Sequence, residues 1–431
     1  MQKTLIQDLM AMLDASPVNF LAVEYVENRL KEAGFEALDM ALPLPELQAG
    51  KTYFIKKNGS ALMAFRMGSK ALADSGFKLI CAHSDSPCFR VKPAAEMAQA
   101  GVVKLNTEVY GGPILYTWFD RPLSLAGRVI LRGENPLYPI QKTVHFKRTL
   151  LTIPHLAIHF NRQVNEGNAL SKQKDMLPVL AMLNDTLESK NMLLNLLCEE
   201  LQVKAEDILD FDLYLYDTQP ATLVGKNEEF LSCGRLDDLA MVHAGLQALL
   251  SAETTEMTQV LAIFDSEETG SGTKQGAASP ILKNLLERIV LSQGGNMEDA
   301  YRALEKSFMV SADMAHAWHP NYTEKHDPTN HPQMGGGPVI KINANQKYVT
   351  DADSAAVFAE ICRRAQVPCQ YFVNHSDMAG GSTLGNILTA QMPIRGVDMG
   401  NPMWAMHSVR ETMAVVDHEY VCKAFAEFYN I

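Results

Sequence analysis

Apolar and polar positions along this chain change period several times, and the changes divide it. Residues Leu5 to Leu13 carry apolar side chains at helical spacing, closed by Ser16-Pro17. A second stripe, Leu21, Tyr25, Val26 and Leu30, predicts a helix over Phe20 to Ala33 with Gly34 as its stop. Two short strands are expected between Tyr53 and Phe65 around the turn Asn58-Gly59. Phe77 to Ala82, Gln259 to Phe264 and Phe308 to Ala312 are short continuous apolar runs, the pattern of strands buried on both faces of a parallel sheet.

From about Arg90 to Val224 the texture differs. Val102 to Val109, Leu125 to Arg132 and Phe211 to Tyr216 alternate with period two, with turns at Gly111-Gly112 and Gly133 to Pro136, and a helix is expected over Met176 to Leu201. After this segment the earlier rhythm returns. Helices are expected over Leu239 to Leu250, Pro280 to Leu291, Asp351 to Gln366 and Ala414 to Tyr429. Strands are expected over Pro338 to Asn343, Tyr371 to Val373 and Ile394 to Val397. The expected architecture is α/β, a mixed sheet flanked by helices, with an inserted β-rich domain. Residues 1–90 plus 225–431 form the first domain and 91–224 the insertion.

Composition narrows the partners. A net charge of −12 argues against a nucleic-acid binder or a membrane-surface protein. No apolar run approaches the ~20 residues that span a bilayer, and the N-terminus reads as an amphipathic helix rather than a secretory signal. The seven cysteines form no CxxC pair, which fits reduced thiols and a cytoplasmic location.

Sheets of this kind place their chemistry just past the carboxyl ends of strands. The run at Phe77 ends in His83-Ser84-Asp85, where an imidazole can hold a metal while a neighbouring carboxylate fixes its tautomer. The run at Gln259 ends in Glu267-Glu268, and the run at Phe308 in Asp313. Asp237 stands at a loop-to-helix junction; either it or Asp238 caps the helix, leaving Asp237 free for a metal in the second case. Met406-His407-Ser408 brings a second histidine into a loop. Two divalent ions sharing one carboxylate need about this set, and nitrogen–oxygen ligation suits zinc, with cobalt or manganese as alternatives. One glutamate then remains as general base. Three other features fit more than one role. His155 and His159 are four apart but lack the glutamate of an HExxH motif and follow an extended stretch, so structural or substrate-contacting roles are expected. Gly380-Gly381-Ser382-Thr383 at a helix start is either an anion cradle or a tight turn. His316, His319, His326 and His331 are spaced irregularly and read mostly as polar groups of a loop.

Taken together, these words resemble the M18 family of aspartyl aminopeptidases, within the clan of co-catalytic zinc exopeptidases. The resemblance spans nearly the whole chain. It is carried by Ala-His-Ser-Asp-Ser-Pro at 82–87, Thr-Trp-Phe-Asp-Arg at 117–121, Pro-His-Leu-Ala-Ile-His at 154–159, Arg-Leu-Asp at 235–237, Phe-Asp-Ser-Glu-Glu-Thr-Gly-Ser at 264–271, Ser-Ala-Asp-Met-Ala-His-Ala at 311–317, His-Pro-Asn-Tyr at 319–322 and Ala-Met-His-Ser at 405–408. It implies that Asp237 bridges two metal ions, that His83 and Asp313 complete one site, and that Glu268 and His407 complete the other. Glu267 would be the base, Asp85 would orient His83, and His159 would reach the active site of a neighbouring subunit to hold the reacting carbonyl. Lys341 matches a lysine linked with an acidic substrate side chain, and Gly381 and Ser382 lie in the substrate-side loop. The inserted domain would serve dimerisation, with dimers assembling into a tetrahedral dodecamer. The implied activity is release of N-terminal Asp or Glu from peptides with a free amine. The stretch Ser376 to Thr383 departs from the Pro-Cys-Gly-Thr-like word of some members, which bears on specificity more than on chemistry. The alternatives are a same-clan exopeptidase or deacylase of other specificity, and a metal-stabilised shell that binds peptides without cutting them.

Overall fold

A computed structural model describes residues 4–183 and 191–431. The described chain divides into two compact units. The first comprises residues 4–85, 221–406 and 411–431, and the second the described residues of 86–220 with 407–410.

The first unit is built on a nine-stranded mixed sheet. Its strand order is Glu36–Ala37, Thr52–Lys57, Ala61–Arg66, Thr258–Phe264, Phe77–His83, Phe308–Ala312, Arg395–Gly400, Val339–Ile342 and Gln370–Val373. Phe77–His83 lies at the centre, parallel to both neighbours, with His83 opposite Phe264 and Cys81 opposite Ser311. All seven residues of that strand are buried, as are all seven of Thr258–Phe264. That is why these runs are apolar at every position rather than at alternate ones. Helices cover both faces. Leu5–Ala15, Asn19–Glu32, Leu236–Ser251, Ala352–Arg364 and Val415–Asn430 contribute to one apolar cluster with Ile80, Leu261 and Val310. Ile281–Ser292, Met297–Glu305 and Leu384–Gln391 contribute to a second with Leu79, Val260 and Met309. The expected hairpin is present, with Asn58 and Gly59 both at positive φ, +56° and +73°. A second, five-stranded sheet orders Thr222–Val224, Phe230–Cys233, Glu411–Ala414, Pro402–Trp404 and Ala315–His316.

The second unit is a six-stranded antiparallel sheet ordered Ile140–His145, Leu123–Leu131, Ile208–Asp217, Cys88–Gln99, Val102–Tyr110 and Val179–Met182. Its own core gathers Phe89, Leu105, Leu125, Leu151 and Leu213, with Trp118 edge-on to Phe89.

The helix expected over Met176 to Leu201 is corrected in part. Only Met192–Leu201 is helical, Val179–Met182 is an edge strand, and residues 184–190 lie outside the described residues. Pro178 disfavours a helical Leu177, and the free edge of Val102–Lys104 takes up the residues that follow. The pattern also hid the twelve-residue strand Cys88–Gln99. Its register slips between Val91 and Glu96 around Pro93, so no clean alternation appears. All seven cysteines are free thiols. No helix among the described residues is long and apolar enough to cross a membrane.

Candidate metal centre

Three central strands of the first unit end side by side, and their last residues turn polar. His83 closes its strand, and its Nδ1 is 3.0 Å from the backbone carbonyl of Asp85. A proton on Nδ1 donated to that carbonyl leaves Nε2 as a lone pair, the form a metal needs. Nε2 lies 3.4 Å from Asp237 Oδ1. Asp85 therefore orients His83 chiefly through its main chain. Its carboxylate is 3.5 Å from Nδ1 and accepts the backbone N–H of Glu267 at 3.1 Å and of Glu268 at 3.2 Å. One aspartate thus sets both the histidine tautomer and the turn that presents the two glutamates.

That turn starts at Ser266, whose φ of +64° reverses the chain after the strand, and Glu267–Thr269 form a single 3-10 turn. The neighbouring helix starts in a similar way. Arg235 has φ of +64°, Asp237 and Asp238 have non-helical backbone angles, and the peptide between them is cis. Neither aspartate caps the helix. The Asp237 N–H donates to the buried Glu411 carboxylate at 3.1 Å, and Asp238 Oδ2 accepts the His83 N–H at 3.1 Å. Asp313 follows its strand, and Lys341 Nζ stands 3.7 Å from its Oδ2 while donating to Met314 O at 3.0 Å.

The donor atoms of His83, Asp237, Asp238 and Asp313 lie within 4.8 Å of one another, and so do those of His83, Glu267 and Glu268. Of these, His83, Asp237, Asp238 and Asp313 are buried. Packing so many acids together is costly without cations. Burial raises the Glu267 carboxyl to about 8, with Asp313, Asp237 and Asp85 adding to it against the opposing pull of His83. Burial likewise raises Asp313 to about 6 despite Lys341, and lifts Glu268 and Asp238 well above the ordinary carboxylate range. Burial alone would lower His83, but the acids around it, Asp238 foremost, hold it well above its usual value. A buried imidazole and carboxylates whose charges are unbalanced in this way fit divalent cations, which supply the missing positive charge.

The remaining expected residues are placed as follows. His407 belongs to the second unit; its φ is +67°, and its Nδ1 is 3.0 Å from Gly112 O. His159 is exposed in a turn of the same unit, and His155 packs edge-on against Phe119. Lys341 is buried, and its ammonium lies 5.4 Å from the Tyr348 ring centre. Gly381 and Ser382 are exposed. The helix start just beyond them already meets an anion, because Thr383 Oγ1 donates to Asp398 at 2.6 Å. The histidines of the loop after Asp313 are held by local bonds. His319 Nδ1 accepts the Asn321 N–H, His326 Nε2 accepts the His319 N–H, and His331 Nδ1 lies 3.0 Å from Asp327 O with its ring tilted against Trp318. Sequence reasoning undervalued Asp238, whose only signal was its place beside Asp237. It missed Glu411, which carried no signal.

A strand-end cluster of histidine and carboxylates on a mixed α/β sheet defines the class: metal-dependent hydrolases. Residues 12–429 match the model of the family described as Aminopeptidase I zinc metalloprotease (M18). A curated relative from Clostridium acetobutylicum, a probable M18 family aminopeptidase 2, is 52% identical over 96% of each chain. A chain in the cryo-EM structure of the Ape4 and Nbr1 complex superposes with a TM-score of 0.95 at 36% identity, covering 99% of this chain and 85% of that one. The S. cerevisiae mApe1 dodecamer shares the fold, with a TM-score of 0.85 at 24% identity over 98% and 95% of the two chains. The chain belongs to the M18 aminopeptidases, and it is a zinc-dependent hydrolase of peptide bonds.

Proposed function

We propose that this aminopeptidase removes N-terminal Asp or Glu from peptides at a two-metal centre with Glu267 as general base. The observation that carries the proposal is the turn at Glu267-Glu268. Both backbone N–H groups are held by the carboxylate of Asp85, whose carbonyl also fixes His83. In the proposed ligand set Asp237 is shared, His83 and Asp313 complete one site, and Glu268 and His407 complete the other; His407 enters on the family resemblance. When bound, the ions polarise the scissile carbonyl and lower the pKa of water toward ~7. Glu267 takes the proton from the attacking water and returns it to the leaving amine. Lys341 gives the acidic preference. Its ammonium has three protons, with Met314 O and Asp313 on two sides, and the third is offered to a substrate carboxylate. Gly381 and Ser382 line the substrate side, and His159 of a neighbouring copy holds the reacting carbonyl oxygen. The inserted domain expected over 91–224, which corresponds to the second unit's main span of 86–220, is the dimerisation and oligomerisation surface, and the dodecamer of the S. cerevisiae neighbour is the assembly proposed here. Exposed Leu137, Tyr138, Leu156 and Phe160 in that unit are large apolar side chains that such a surface would cover.

The experiment is hydrolysis of Asp-, Glu- and Leu-p-nitroanilide by zinc-loaded protein beside a chelated control, with an N-acetylated substrate included. Chelator-sensitive cleavage of free-amine Asp or Glu substrates is expected. Cleavage of Leu in preference removes the acidic specificity, and cleavage of the blocked substrate replaces the aminopeptidase reading with the deacylase one.

A further inference from the structure

Away from the strand ends, two helices of the first unit bring two histidines and a cysteine together. His243 lies on Leu236–Ser251, and His418 and Cys422 lie one turn apart on Val415–Asn430. Both histidines are fully buried. His243 Nδ1 and His418 Nε2 face each other at 2.9 Å, and Cys422 Sγ is 3.6 Å from the same His418 nitrogen. The three donor atoms lie within 4.8 Å of one another.

The surroundings are those of a ligand set rather than of a packed pair. On its far side, His243 Nε2 is 3.2 Å from Asp8 Oδ2, on the helix Leu5–Ala15. A carboxylate behind an imidazole fixes the proton on the outer nitrogen and turns the inner lone pair towards a metal. Asp8 is itself anchored by Arg29 at 3.1 Å and by Gln247 at 2.6 Å. With the His243 proton on Nε2, the 2.9 Å contact without a metal is a hydrogen bond donated by His418 Nε2–H to His243 Nδ1. His418 Nδ1 is buried and has no hydrogen-bond partner among the described residues, so it is the position to which that proton can move when a metal takes Nε2. Burial lowers both imidazoles below their ordinary values, His243 against the upward pull of Asp8, and His418 far below with His243 adding to the effect. Tetrahedral zinc with bonds of ~2.0–2.1 Å to nitrogen and ~2.3 Å to sulfur sets its ligand atoms about 3.3 Å (N to N) and about 3.6 Å (N to S) apart. The sulfur–nitrogen distance already matches, and the two nitrogens need to part by about 0.4 Å. Half-buried Cys422 and Gln247 give access from the surface.

We propose that His243, His418 and Cys422 form an additional metal site, separate from the strand-end centre, for a zinc-type ion. Its two-nitrogen, one-sulfur donor set suits borderline-soft metals and not magnesium or calcium. Binding replaces the thiol proton: the S–H bond breaks, a metal–sulfur bond forms, and one proton leaves to solvent. The metal carries no redox change. The ion ties Leu236–Ser251 to Val415–Asn430, with Leu5–Ala15 linked to it through the Asp8–His243 bond.

The test uses the full chain loaded with cobalt(II). Every ligand proposed at the strand-end centre is nitrogen or oxygen, so a sulfur-to-cobalt charge-transfer band in the near ultraviolet reports on this cluster alone, whether or not that centre has been read correctly. The band is expected in the wild type. It should vanish in Cys422→Ser with one metal equivalent fewer per chain, and persist in Cys369→Ser. Absence of the band in the folded wild type at full loading overturns the proposal. So does a band that survives Cys422→Ser.

Discussion

At the scale of single residues, the site separates holding from reacting. Glu267 is presented through its backbone, which Asp85 holds, so its side chain can be changed without disturbing the turn. Glu267→Gln is expected to lower kcat by at least ~10²-fold, the usual worth of general-base catalysis, with metal content per chain unchanged by elemental analysis. Retained turnover would reassign the base. Asp85→Asn is different, because an amide can accept only one of the two N–H groups that the carboxylate accepts now. It should weaken metal retention about 10–100-fold, read by competition with a chelator. Lys341→Ala is expected to reduce the kcat/KM ratio of Asp over Leu substrates tenfold or more, about 1.4 kcal/mol. An unchanged ratio removes the lysine from specificity.

Among the elements, one glycine ties the fold to the chemistry. Gly400 closes the strand Arg395–Gly400, and a Cβ there would stand 1.9 Å from the carbonyl oxygen of Asp313, a backbone atom that cannot swing aside. Gly400→Ala should push Asp313 from its place. Metal binding and activity are expected to fall together, and the midpoint of unfolding should drop. Normal metal content in this variant would remove Asp313 from the ligand set. Elements of this kind also decide what the sequence could disclose. The three central strands were legible because burial on both faces makes them apolar throughout, and their last residues stood out as polar at once. The edge strands were not. Val179–Met182 owes its shape to a neighbour's free edge, and Cys88–Gln99 hides behind the slip at Pro93. Glu411 is out of reach of any local pattern, since it bonds the Asp237 backbone from 174 residues away. Asp85 was seen as a partner of His83, but that its main-chain carbonyl does the orienting depends on coordinates and not on residue type.

For the whole molecule, the buried acids make stability depend on cations. Without them Glu267 is raised to about 8 and Asp313 to about 6. The folded state therefore binds protons there that the unfolded state releases. In the metal-free protein stability should fall as pH rises from about 4 through these values. Metal binding competes with those protons and reverses the trend. Chelation is accordingly expected to lower Tm at pH 8 and to do so less at pH 5. Since a ligand at 100 times its Kd contributes about 2.7 kcal/mol, the difference at pH 8 should be several degrees. A Tm indifferent to chelator at pH 8 would mean that the cluster is not a cation site.

The placing of Phe77–His83 at the middle of its sheet also sets a timetable for biosynthesis. Its two neighbours in the sheet are Thr258–Phe264 and Phe308–Ala312, so the ribosome must add about 175 residues before the first arrives and some 50 more before the second. Meanwhile the second unit, whose main span begins right after Asp85, can close on itself. The nascent chain thus carries a seven-residue strand, apolar at most positions and bare along both edges, through most of translation, and such edges are where chains join wrongly. Yield should depend on holdase chaperones binding near residue 80 more than on any step after release.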